Sequence, residues 1–261
     1  PNYTDGQFWE GFRSDWVWES GLAYTTQPIK VSGVRVNGTL YSAGITGAFS
    51  HYVDYPRGRI IFDSGIATTS TVTAEYSYRR VQVSTFDYLY PRNIQGRSYR
   101  VDDSHFLTQQ SSGTWSQWGM PKVQLPAVIV ETNTVRDYTG LQLGGGHWLT
   151  QGISFHIFAE NPWERDNIVD IIANQEDKAL LLFDVNLLQS LNRYPLNRFG
   201  SIASGSMSYP TLVGPGSPVQ WNRRCYIRDI SKQNVPADRY LSQNLFGTVV
   251  RANCVIDMPD V

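Results

Sequence analysis

The 261-residue chain has no uninterrupted apolar run long enough to cross a bilayer as a helix, so no membrane span is expected. It has two cysteines, Cys225 and Cys254. They are too few and too far apart to hold zinc by themselves; they can pair, but are expected as reduced core residues. Charged residues make up only 17% of the chain and balance to a net −1. That removes any bulk attraction to nucleic acid or to an anionic membrane. The opening residues PNYTDGQFWEG lack a basic stretch followed by an apolar one, so no secretory signal is expected and the chain reads as made in a cytoplasm. No internal repeat stands out. Aromatic residues, by contrast, reach 13%, with eight Trp and fifteen Tyr. Such side chains offer large contact area with a polar handle and are enriched at buried interfaces.

Residues 1–27 read as an aromatic arm: Phe8, Trp9, Phe12, Trp16 and Trp18 stand among Gly, Asp and Glu. The spacings Phe8/Phe12 and Trp9/Trp16 suit a short amphipathic helix, and a docked irregular arm is the other option. Residues 28–92 read as a small β-hairpin domain. Ile29/Val31 and Val81/Val83 alternate with polar residues, as in half-buried strands. Asn37-Gly38 predicts a two-residue hairpin turn, and Pro56-Arg57-Gly58 closes a second. Residues 93–125 lack periodicity and read as a long loop or linker, with Trp115 and Trp118 in it.

Residues 126–261 read as an α+β domain. Strands are expected at 126–131, 151–160, 179–185 (buried), 219–230 and 246–258. Between the second and third, Asn161-Pro162-Trp163-Glu164 combines an N-cap, a proline suited to the first turn and a capping-box glutamate. The helix then continues with an apolar stripe of Ile168, Ile171 and Ile172, with Val169 beside it. The fold class that follows is α+β and β-rich: N-terminal hairpins, then a mixed or antiparallel sheet with one main helix packed on it.

Chemistry is sparse. Asp102-Asp103-Ser104-His105 holds the parts of a triad, but neighbours in sequence rarely face one another and no nucleophile elbow surrounds the serine. Leu143-Gly144-Gly145-Gly146-His147 lacks the Lys-Ser/Thr of a phosphate loop and reads as a turn before a strand. Asp54 and Asp63 flank a hairpin, where carboxylates are commonplace. His156 falls opposite Ile153, Phe155 and Ile157, as a surface histidine would. No catalytic constellation, metal or cofactor is expected. Arg79-Arg80 and Arg223-Arg224 each put one guanidinium on either side of a strand. They suit intersubunit salt bridges or a channel lining for DNA, or else solvated charge that keeps an edge from aggregating. The interface candidates are therefore Trp9, Phe12, Trp16, Arg79, Arg80, Trp115, Trp118, Arg223 and Arg224.

The segment SHYVDYPRGRIIFDSGIATTSTVTAEYSYRRVQV resembles a hairpin pattern of structural proteins in tailed-bacteriophage virions. QLPAVIVE together with LGGGHWLTQGISFHIFAENPWERDNIVDIIANQEDKALLLFD resembles the strand–strand–helix–strand order of tail-terminator neck proteins. The resemblance spans residues 29–85 and 124–185. It implies a non-enzymatic ring subunit, commonly a hexamer, that closes the tail beneath the connector. Its partners would be copies of itself and neighbouring neck, tail-tube or sheath proteins, with packaged DNA as channel content. A stopper, connector or baseplate component fits the same pattern. A carbohydrate-binding β module, stacking sugars on Trp115 or Trp118, is the alternative from another class.

Overall fold

The computed structural model describes residues 3–11, 13–19, 29–85, 108–109, 124–140, 145–184, 194–203, 209–235 and 245–258. These fall into two compact units. One draws on the ranges Pro1–Arg79, Val101–Pro121 and Leu188–Gly214; the other draws on Arg80–Arg100, Lys122–Leu187 and Pro215–Val261. The division at Arg79 precedes the boundary expected near residue 92. The architecture is β-rich α+β, as the patterning of the chain implies.

Among the described residues the first unit holds seven short strands in two sheets. β1 (Phe8–Glu10), β4 (His51–Asp54), β5 (Arg59–Phe62) and β8 (Thr108–Gln109) form one, in the order β4-β5-β1-β8. β2 (Gly33–Val36), β3 (Thr39–Ser42) and β6 (Val72–Ala74) form the other, in the order β3-β2-β6. Both turn signals are realised. Asn37 and Gly38 have φ of 50° and 85°, and Val36 pairs with Thr39, which is the two-residue loop. Gly58, at φ 66°, ends the turn that pairs Asp54 with Arg59. No side chain fits at Gly58, because a Cβ would lie 2.2 Å from the Arg13 carbonyl oxygen.

The N-terminal arm is neither helix nor appendage. β1 lies inside its sheet, with Trp9 paired to Ile60 on one side and to Gln109 on the other. Trp9 and Trp16 are 3% and 1% exposed and belong to one core with Val34, Ile60, Phe62 and Val72. Their placement as interface residues is thus corrected. Their partners come from strands roughly 20 to 100 positions further along the chain, which no local spacing can announce.

Among the described residues the second unit is a six-stranded sheet with one main helix. β7 (Gln82–Thr85), β9 (Ala127–Gly140), β10 (His147–Ala159), β11 (Ala179–Phe183), β12 (Gln220–Val235) and β13 (Phe246–Met258) stand in the order β11-β12-β13-β10-β9-β7. All pairs are antiparallel except β7 with β9, so the sheet is mixed. β7 is the strand foreseen from Val81/Val83, but it joins this sheet rather than the hairpins. One face carries Val128, Phe155, Ile157 and Val250 and meets Ile168 and Val169 of α1 (Pro162–Ala173). At one end of the opposite face, Ala127, Ile129 and Phe158 pack with Leu125 and Leu245.

α1 begins where the sequence places it. Asn161 is extended (φ −144°, ψ 156°), and its side chain accepts a hydrogen bond from the Glu164 backbone N–H at 2.8 Å. Asn161→Ala is expected to cost about 0.5–2 kcal/mol, read as a lower denaturation midpoint with an unchanged denaturant slope. Two expectations fail here. Ile171 is 62% exposed, because the buried stripe runs through Ile168, Val169 and Ile172. β11 is not buried: Leu180 and Leu181 are exposed, and the strand stands last in the described strand order.

Candidate interaction surfaces

Of the nine residues expected at interfaces, Phe12, Trp115 and Trp118 lie outside the described residues. Trp9 and Trp16 are core, and their indole N–H groups donate to the carbonyls of Gly6 (2.9 Å) and Arg13 (2.7 Å). The four arginines have partners in the chain. Arg79 pairs with Glu19, while its backbone N–H donates to the Asp15 carbonyl at 2.9 Å. Arg80 reaches Glu164 at 2.9 Å and braces the first turn of α1 against the segment leading into β7. Its side chain is 70% exposed, so solvent weakens the pair. Arg223 lies over Trp221 at 5.6 Å and donates to the Asp257 carbonyl at 3.5 Å. The backbone N–H of Arg224 donates to the Asp257 carboxylate at 3.4 Å.

The polar groups flagged in the sequence also serve the fold. Asp54 is fully buried with Arg57 at 3.6 Å, and Asp63 accepts from Ser50 (2.5 Å) and pairs with Arg198 (3.2 Å). His156 meets Glu131 at 2.6 Å across the β9–β10 ladder. Gly145 and Gly146 take positive φ and lead into β10, while Asp102, Asp103, Ser104 and His105 fall outside the described residues. Among the described residues no three His, Cys, Asp or Glu side chains gather as metal ligands, and no helix is long and apolar enough to cross a membrane.

Cys225 and Cys254 are buried free thiols. Cys225 pairs with Ile256, and Ile227 pairs with Cys254, so the two sit diagonally across β12 and β13 on one face. The neighbouring Cys254 and burial push the Cys225 thiol up, which keeps it protonated and unreactive.

The surface that sequence reasoning missed is β11. Ala179-Leu180-Leu181-Leu182-Phe183 contains no charge and no proline, and Leu180 and Leu181 are 44% and 37% exposed. Exposed apolar side chains on an uncharged strand favour contact with another chain, and charge or proline ordinarily guards against it. At the other end of the described strand order, β7 is Gln-Val-Ser-Thr, equally uncharged, with Val83 exposed. α1 adds exposed Trp163 and Ile171. The signal was in the sequence, as an apolar pentapeptide without flanking prolines, but burial in a core produces the same signal. Comparison with family models and with curated proteins finds no match to this chain.

Proposed function

We propose that the chain is a structural subunit of a tailed-phage virion, acting at the head–tail neck as a tail-terminator ring. The observation that carries the reading is a pair of uncharged strands with exposed apolar side chains, β11 with Leu180 and Leu181 and β7 with Val83, which stand last at either end of the described strand order. Two unlike apolar surfaces suit head-to-tail contact, which closes into a ring when the rotation per subunit permits. Leu180 and Leu181 of one copy would meet the β7 side of the next and bury the exposed leucines and Val83. The resemblance of residues 29–85 and 124–185 to virion proteins supports the neck position and sixfold order. In this role the second unit surrounds the DNA channel, the first contacts neighbouring neck, tail-tube or sheath proteins, and catalysis has no part. The ring would assemble in the host cytoplasm and remain in the virion.

Electron microscopy of the purified protein, with its mass measured in solution, tests the reading. Rings are expected, and Leu181→Lys, which places a charge on β11, is expected to shift the mass to that of a monomer while the circular dichroism stays unchanged. A wild-type chain that stays monomeric and is missing from virions would overturn it. Density elsewhere in the particle would reassign it to a connector or baseplate.

A further inference from the structure

A small cavity in the first unit lies between the β4–β5 hairpin and the strap 194–203. Val31, Val53 and Leu196 line it together with His51, Tyr55 and Arg198. The space open to the centre of a water molecule is about 10 Å³, room for a single one. The strap is held by Arg198, which donates to Ser50 Oγ at 2.7 Å, pairs with Asp63 and lies over the Tyr52 ring at 4.4 Å.

Two polar groups in the cavity wall have complementary needs. His51 is 2% exposed, and its Nδ1 sits 2.9 Å from the Phe49 carbonyl oxygen. A carbonyl only accepts, so Nδ1 carries the proton and Nε2 is left as an acceptor. Nε2 is buried and has no hydrogen-bond partner among the described residues. Burial and the facing Arg198 lower the ring's pKa, against the Phe49 carbonyl and Asp63, which raise it; burial is the largest effect and the ring stays neutral. Tyr55, 3% exposed, accepts from the Val31 backbone N–H at 3.0 Å. Burial holds its phenol at about 12, so it keeps a proton to donate, and no acceptor for that proton stands among the described residues.

We infer that the cavity is a binding site for one water molecule, which accepts from the Tyr55 hydroxyl and donates to His51 Nε2. An anion is disfavoured by the lone pair of a neutral ring, and a cation by Arg198. A larger organic ligand exceeds the space. The water completes the polar wall beneath the strap, where an unpaired imidazole nitrogen would otherwise destabilise the fold.

A crystal structure of the full chain at 1.5 Å or better, with long-range proton–nitrogen NMR of His51, tests this. Expected are one peak within hydrogen-bond distance of both Tyr55 Oη and His51 Nε2, and a ring protonated at Nδ1 alone. Tyr55→Phe should remove or displace that peak and leave the His51 tautomer unchanged. A dry cavity, a proton on Nε2, or a peak that Tyr55→Phe leaves in place would overturn the inference. If Tyr55→Phe does not fold, the two wild-type measurements decide alone.

Discussion

Replacing Trp16 with alanine should cost about 3–5 kcal/mol, the range for a fully buried large aromatic. The indole is 1% exposed and stacks on Tyr76 with centroids 4.0 Å apart and planes 16° from parallel. Its Nε1–H donates to the Arg13 carbonyl, and its backbone N–H donates to the Tyr55 carbonyl at 2.8 Å. The site cannot relax inward easily, since Gly58 is pressed between Arg13 and the indole. Trp16→Phe keeps the stack and loses one hydrogen bond, so it should cost about 1 kcal/mol for that bond plus a share for lost volume. Chemical denaturation followed by hydrogen exchange resolves where protection falls. The expected loss lies among β2, β4, β5 and β6. A change below about 1 kcal/mol for the alanine variant would show that the arm is not part of the core.

Ile157→Ala should cost about 2–5 kcal/mol in the second unit. Ile157 is fully buried, pairs with Val128 and Thr248 in the ladder, and packs with Ile168, Val169 and Val250. Removing it opens a cavity directly under α1. Helical signal should therefore fall at lower denaturant, and amides of 168–172 should lose protection first. Ile171→Ala is the internal control: on the same helix but facing solvent, it should change stability by under about 0.5 kcal/mol.

These two sites separate what the sequence could reveal from what it could not. α1 was legible because its cap, proline and glutamate act within four residues of one another. The turn at Asn37-Gly38 was legible for the same reason, since it is set by the φ those two residues tolerate. The arm was not, because a strand in the middle of a sheet is fixed by partners such as Ile60 and Gln109, far along the chain. β9 runs on through Glu-Thr-Asn-Thr to Gly140, well beyond the apolar run that announced it, held there by pairing with β10. β11 was read with the right residues and the wrong environment: an apolar run specifies a strand but not whether another strand covers it. The four arginines were recognisable as pairs, while their carboxylate and carbonyl partners lay tens of residues away. The cavity beside His51 left no mark in the sequence, because it depends on a strap roughly 150 positions downstream of the histidine.

The strand order has a bearing on how the chain is made. β13 sits between β10 and β12, yet it is synthesised roughly a hundred positions after β10. During translation β9 and β10 can zip together as soon as both have emerged, because they are neighbours in the chain. The far edge of β10 then waits, thirteen residues long and unpaired, until β13 arrives. Such a delay slows closure of the sheet and exposes a sticky strand to other nascent chains. High expression without chaperones should therefore favour inclusion bodies, and slowing synthesis or lowering temperature should recover soluble protein without any change to the folded surface.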